Sequence, residues 1–566
     1  MQSLQKLLLV SAIKPFGRKT EFTRETDGLQ MEFFNNQVTR LQGVHSFRGN
    51  AATFCLYLLA ENISIPAVVL DFPTQREFLD ELKNGYTHVG FSFIRHNIYK
   101  VKWMAGQVRR HSPGTKILLG GYGTAVPGIE DLVPCDAVCR GEGVAWLRSY
   151  FGENINAPIR QPLPKAYMNP TVYGVGVESA MQSTVILPGV GCRMGCNFCA
   201  TSHTFNKKYI PFIQTGKDLF NACLEGKNRN GCDRYTVLDE NLFLVPERAK
   251  DFLALMEKHR EPFTFVLVFG SANALREFGV DFFLRLGIQL VFMGVESKQP
   301  IYAKVKNVDF RSLIREFQDH GISILASTIL FLDHHDHNTI QEEIDWAIDL
   351  DANFHQFMQF TPVPGTPLWD KTHEDGSYRD DIPHDMSTGM TDLPVRHPHF
   401  KPEEGGPLMR EAFLRKFRRG GPGVIQAAHT AARGYQKAKR DMEDRAKQGL
   451  AWNPETLKYE KNEQPIRDEF MELRLERMRQ TAVAYRPLLW AGKLLAPGRE
   501  ARQRCERTLA LYKEVFGPPT WKEKILSATV ACSGLLHAQA GRLRASLGLE
   551  EHVPQPPTLR QGFRMQ

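Results

Sequence analysis

Nowhere in this sequence do 18 uncharged apolar residues run together, so no segment reads as a transmembrane helix. A cleavable leader is also not expected. The opening MQSLQKLLLVSAIKPFG holds only a short apolar stretch with no small-residue cleavage site after it, and reads as a first β-strand. There is no internal repeat and no Walker A sequence, which argues against a solenoid and a P-loop NTPase. Stacking motifs and module signatures for RNA or DNA are lacking too, so no nucleic-acid partner is expected. Cysteine is scarce, at 10 in 566 residues, and three of the ten fall at Cys192, Cys196 and Cys199. That clustering argues against a disulfide network and for a metal site in a reducing, cytoplasmic compartment.

What is present is ordinary globular composition, 42% hydrophobic and 24% charged, in a chain long enough for two to four domains. The net charge of +8 is uneven. Residues 401–566 carry 31 Lys and Arg against 19 Asp and Glu, whereas residues 1–400 carry 40 against 44. The basic character therefore belongs to the tail.

Over residues 1–150, β-rich runs (5–12, 65–72, 88–94, 116–123, 136–143) alternate with helical stretches that end at Gly or Pro. This predicts a doubly wound, Rossmann-like α/β domain with a parallel sheet, interrupted at 13–49 by a long connection. Residues 151–180, rich in Pro, Asn and Gly, read as a linker. A second α/β series follows in 181–375, with strands expected at 183–189, 235–241, 263–271, 290–297, 322–332 and 354–369. Six such units fit a partial (β/α)6 barrel with its active site at the C-terminal ends of the strands. From about 400 the β-rich runs stop, and 376–566 reads as a helical, basic C-terminal domain.

The chemistry concentrates in CRMGCNFC (192–199), directly after an apolar strand and a GVG turn. Three thiolates at C-x3-C-x2-C spacing can hold three irons of a [4Fe-4S] cube and leave the fourth open to a ligand. With His203 four residues on, a Cys3His zinc site is the alternative on spacing alone. GVGCRMG has one residue too many between its last two glycines for a dinucleotide loop.

Taken with LDEN (238–241), GS (270–271), GVES (294–297) and FTPVPGTPLW (360–369), in that order over about 190 residues, this cluster resembles the radical S-adenosylmethionine (SAM) superfamily. The resemblance implies that Cys192, Cys196 and Cys199 hold the cluster and that SAM chelates its open iron. It further implies that the main chain near Phe198 meets the adenine, and that Ser271, Glu296 and Ser297 contact SAM at the strand ends. Glu296 could instead cap a helix or form a structural ion pair. The roles of Asp239 and Glu240 stay open.

The first domain resembles the cobalamin-binding domain that precedes the barrel in one large radical SAM class, carried by HVGFSFI, SPGTKILLGGYGTAVPG and DAVCRGEG. Ser92, Gly120, Gly121, Gly141 and Glu142 are the implied contacts, since glycines at strand ends admit a large flat ligand close to the backbone. The same glycines would serve a flavodoxin-like domain for turns alone. The D-x-H-x-x-G signature that supplies a histidine to cobalt is missing, the 13–49 connection offering only His45. Arg95 and His96 are therefore implied near the lower face of the corrin, or else form an exposed loop pair.

Together these implications give a cobalamin-dependent radical SAM enzyme acting at an unactivated carbon, with C-methylation as the expected reaction. C–C bond formation, ring rearrangement without methyl transfer, and a non-methylating protein with a structural or sensory cobalamin module are the alternatives. A small-molecule or lipid-like substrate and an external electron donor of the flavodoxin or ferredoxin type are expected partners. DHHDHNT (333–339) has the composition of a metal site but reads as a polar turn, and 373–386 reads as a loop over the substrate. The Arg/Lys-rich helical stretches 408–447 and 474–495, with Trp490, read either as a solvated bundle face or as peripheral contact with anionic lipid at the inner membrane face.

Overall fold

In the computed structural model, residues 5–14, 52–166, 171–176, 182–300, 302, 305–387, 389, 391–462, 467–549 and 556–564 are described. Most of the 13–49 connection, with His45, lies outside them. The first sheet contains β1 (Leu7–Val10), β2 (Ala67–Asp71), β3 (His88–Ser92), β4 (Lys116–Gly120) and β5 (Ala137–Val138), in the parallel order β2-β1-β3-β4-β5. Val, Leu and Ile fill β1, β2 and the centre of β4 without alternation because helices cover both faces. The order reverses between β1 and β3, and a doubly wound sheet opens a crevice there at its carboxyl ends.

The second sheet runs β6 (Thr184–Ile186), β7 (Arg234–Val237), β8 (Thr264–Phe269), β9 (Leu290–Glu296), β10 (Ser323–Leu330) and β11 (Phe354–Gln359), all parallel and in sequential order. Its helices bury a core of phenylalanines and aliphatics. Residues from all six strand ends, or from the loops just beyond them, line one cavity, so the sheet curls as a partial barrel must.

Two expectations need correction. The 151–180 segment is not a free linker: Leu163, Ala166, Val172 and Tyr173 are buried, and Tyr173 packs among the C-terminal helices. The tail is not wholly helical either. It contains a hairpin, β12 (Leu450–Asn453) and β13 (Lys458–Lys461), and it ends in β14 (Leu559–Phe563), which pairs antiparallel with β2. That last strand closes an open sheet edge, fastened by a two-pronged Arg560–Glu81 pair at 2.8 and 3.0 Å. The first sheet is thus completed by a strand from residues 559–563.

Candidate active site

The loop after β6 brings Cys192, Cys196 and Cys199 to one wall of a cavity of about 460 Å³. Its shape is held by its own backbone and one hydroxyl. Ser202 Oγ donates to the Cys192 carbonyl (2.7 Å) and accepts from Gly195 N–H (2.9 Å), while Cys199 N–H donates to the Cys196 carbonyl (3.0 Å). Gly191 and Gly195 have φ of +86° and +67°, the left-handed region that lets so short a loop fold back. The ten cysteines are all thiols, none in a disulfide. His203 Nε2 donates to the Cys196 carbonyl at 3.1 Å, so that nitrogen is committed to the loop and is not offered as a fourth metal ligand.

Two further strand ends place side chains on the wall beside the cysteine loop. Glu296 ends β9 at a register shift and at φ +60°, an unfavourable conformation for a side chain with a Cβ. The bulge and the positive φ together set the carboxylate at the cavity edge, the kind of local strain that functional sites carry. Ser271 lines the cavity after β8, and its hydroxyl also caps the following helix by accepting from Ala274 N–H at 3.3 Å. Phe198 lines it too, its ring edge-on to Tyr302 at 5.0 Å. Ser297 does not line this cavity, since its buried hydroxyl donates to Glu343 at 3.1 Å.

Arg95 and His96 stand on the wall of the same cavity, distant in sequence from the cysteines but together with them in space. Arg95 is buried and fully engaged by the 376–389 segment, donating to Tyr378 OH (2.5 Å), Ser387 Oγ (3.1 Å) and His384 Nδ1 (3.1 Å). His96 Nε2 donates to the Ser387 carbonyl at 2.7 Å, and burial holds its ring below the usual histidine range. The exposed-pair alternative is thereby set aside. The 373–386 segment bonds the first domain through Tyr378 and His384, and the residues just beyond it, Ser387 and Gly389, line the cavity.

The remaining implied contacts, Ser92, Gly120, Gly121, Gly141 and Glu142, line a second cavity of about 380 Å³ at the β1/β3 switch point. Its far wall comes from the barrel, through Leu187, Val190 and Phe212. A Cβ on Gly120 would meet the Phe91 carbonyl at 3.8 Å and Cys139 at 4.0 Å, ordinary contacts, so the fold itself does not demand a glycine there. Gly121 differs: at φ +86° a Cβ there would sit 2.6 Å from the Phe93 carbonyl, so the chain itself requires glycine. Glu142 spends its carboxylate on a helix N-terminus, accepting from Val144 N–H (2.6 Å) and Ala145 N–H (2.7 Å).

Sequence reasoning missed the connection between the cavities. Tyr122, on the wall of the second, donates to Thr201 at 3.1 Å, and Thr201 donates to Glu240, on the wall of the first, at 3.1 Å. Burial raises Tyr122 to about 12 and also raises Glu240, so both favour their neutral forms more than in water. Asp239, by contrast, is structural: it is buried against Arg248 Nη2 (3.3 Å) and Tyr209 OH (2.5 Å). In DHHDHNT, His335 Nδ1 accepts from Leu332 N–H, so in the neutral ring Nε2 carries the proton and faces Glu343 at 3.5 Å. His334, His335 and Glu343 lie close enough to hold an ion, but that tautomer leaves Nε2 no lone pair for one.

No family model matches the chain. It is 23% identical over 331 residues to bacteriochlorophyllide d C-12(1)-methyltransferase of Chlorobaculum tepidum, covering 54% of this chain and 69% of that protein. It is 22% identical over 248 residues to an uncharacterized methyltransferase of Pyrococcus horikoshii, covering 41% of this chain and 50% of that protein. Among solved structures, the radical S-adenosylmethionine methyltransferase TsrM of Kitasatospora setae, with cobalamin and a [4Fe-4S] cluster bound, matches with a TM-score of 0.51. That match covers 85% of this chain and 99% of TsrM at 14% identity, a likeness of fold. The chain is similar in sequence to methyltransferases and in fold to a radical SAM methyltransferase, as its motifs imply.

Proposed function

We propose that this chain is a cobalamin-dependent radical SAM enzyme that methylates an unactivated carbon of a small molecule. The observation that carries the reading is one cavity walled by both domains: the three thiols and the barrel strand ends on one side, Arg95 and His96 on the other. When bound, the cluster with SAM supplies hydrogen abstraction and the corrinoid carries the methyl group.

The residues fit those groups. Cys192, Cys196 and Cys199 form a three-thiol donor set, the number that leaves one iron of a cube without a protein ligand. Glu296 and Ser271, both on the cavity wall, would contact the SAM amino group and ribose, and the main chain near Phe198 would meet the adenine. Gly120 and Gly141 leave the second cavity wide at the strand ends, as the tail of a corrinoid requires. No histidine is expected on the cobalt, because the D-x-H-x-x-G signature that supplies one is missing from the sequence. Met194, Phe269, Phe292, Ile329 and Met358 make the first cavity largely apolar and suit it to exclude water around a hydrophobic substrate. Lipid-like character of that substrate, an electron donor of the flavodoxin or ferredoxin type, and the cytoplasm as its place of work are parts of the same proposal. Within the described residues, no helix is long and apolar enough to cross a membrane.

The test is anaerobic turnover in a cell extract with SAM deuterated in its methyl group. A product carrying the labelled methyl supports methylation. SAM cleavage with only unlabelled product supports C–C bond formation or ring rearrangement instead, and a loaded protein that never cleaves SAM supports a structural or sensory module.

A further inference from the structure

The basic tail suggested lipid contact through 408–447 and 474–495, but several cations of 408–447 are paired with neighbouring groups of the fold. Lys416 is buried and donates to the Ala352 carbonyl at 2.6 Å. Arg415 pairs with Asp345, Arg418 with Glu411 and Arg419 with Asp349. A longer run of exposed apolar side chains lies on the last long helix, Trp521–Ser546.

That helix has two opposite faces. Val530, Ala531 and Ala538 are buried, and a Cβ on Gly534 would come within 2.7 Å of Leu495, so small residues let the helix pack closely on the domain. Across from them Trp521 (67% exposed), Ile525 (58%), Leu536 (67%) and Leu543 (61%) stand in water, with Cys532 also exposed between them. At about 100° per residue these five fall within an arc of roughly 60°, and they extend over about 33 Å. So long a stripe of large apolar side chains is not left in solvent without a use.

The charges decide what covers it. On the same helical count, Lys524 and Arg542 lie along one edge of the stripe, and Lys522 and Arg544 along the other, one from each end of the helix. The helix's one acidic residue, Glu523, is held by Arg486 at 3.1 Å and by Thr520. A second copy of the same helix, parallel or antiparallel, would set cation against cation along both edges. A flat anionic surface meets every requirement: the stripe buries in its apolar layer, the basic side chains reach its phosphates from both edges, and Trp521 sits at the boundary.

We infer that the Trp521–Ser546 helix docks the protein on the surface of an anionic phospholipid bilayer. This goes beyond the catalytic reading and does not depend on it, because the measurement needs no turnover. Full-length protein is sedimented with vesicles of phosphatidylcholine alone or mixed with phosphatidylglycerol, at low and high salt. Strong binding to the anionic vesicles that weakens with salt is expected. Each basic residue near the surface contributes about fivefold to partitioning, so Lys522→Glu, Lys524→Glu, Arg542→Glu and Arg544→Glu combined lose well over tenfold. Leu536→Glu with Leu543→Glu loses at least tenfold through the apolar contact. All six positions are exposed or lie on the solvent side, and unchanged far-ultraviolet circular dichroism confirms the fold. The emission that Trp521→Phe removes should shift to the blue on binding.

Equal binding to neutral and anionic vesicles, or binding indifferent to both variant sets, overturns the inference. A dimer seen by sedimentation velocity and abolished by Leu536→Glu, with no vesicle binding, assigns the stripe to a second copy. Vesicle-independent binding of an acidic protein through the same residues, again with no lipid binding, assigns it to that partner.

Discussion

The two cavities are built by opposite means. The first is made of side chains: three thiols, a carboxylate forced to φ +60° and a buried arginine, each put in place by a loop or bulge. The second is made largely by their absence, with glycines at 120 and 141 at the ends of β4 and β5. Changing a residue in the first should remove a chemical function and spare the fold. In the second, the damage should come from adding atoms.

The largest expected effect breaks the first cavity alone. Cys196→Ala should lose the iron and the brown absorbance of a reconstituted cluster and abolish reductive SAM cleavage, because an iron is left without a protein ligand. Corrinoid binding, measured by absorbance after gel filtration, should survive. Its loss in parallel would mean that the two cavities are one cooperative site.

Next in size is the converse. Gly120 is not at positive φ and a Cβ there would make only ordinary contacts, at 3.8 Å and beyond, so Gly120→Val suits a strand and should cost little thermal stability. It should nonetheless cut corrinoid content severely while iron and sulfide stay at wild-type levels. Normal corrinoid content in this variant would place the ligand elsewhere.

A smaller effect isolates the carboxylate of the first cavity. Glu296→Gln keeps the shape and removes the charge, and losing one charge-assisted hydrogen bond of about 2 kcal/mol should weaken SAM binding roughly thirtyfold. Isothermal titration on the cluster-loaded protein measures this, and unchanged affinity would return Glu296 to a structural role.

The smallest effect concerns the barrel that supports the first cavity. His355 on β11 is fully buried, accepting from or donating to Thr328 at 2.8 Å, and burial lowers it from the usual 6.5 to about 3. The folded ring therefore stays neutral while the unfolded one protonates. Stability is unaffected above pH 6.5 and falls as pH drops below it, by roughly 1 kcal/mol per unit until the folded value is reached. His355→Gln should flatten that slope between pH 6 and 4.5 in chemical denaturation, and an unaltered slope would shift the acid lability to other groups.

Much of this was legible in the sequence, and the reason is locality. Most strands of the two sheets lie in short β-rich runs, and the cysteine loop and GVES are read within a few residues. What escaped is what depends on distant partners. LRQGF (559–563) carries no strand signal of its own and becomes β14 only because β2 offers an open edge. Arg95 is nearly 300 residues from Ser387, and nothing near either residue announces the pairing. Ser297 and Glu142 sit inside readable motifs, yet their polar groups are used by Glu343 and by a helix N-terminus. The unread Tyr122–Thr201–Glu240 chain is of the same kind, since each member lies on a different element.

The proposed chemistry requires both cavities to be loaded in one chain. Anaerobic reconstitution with iron, sulfide and hydroxocobalamin, followed by metal and corrinoid analysis of the gel-filtered protein, tests that most directly. Iron, sulfide and corrinoid together are predicted, with the corrinoid lost in Gly120→Val and the iron lost in Cys196→Ala. Zinc in place of iron, or iron with no corrinoid in the wild-type chain, would contradict it.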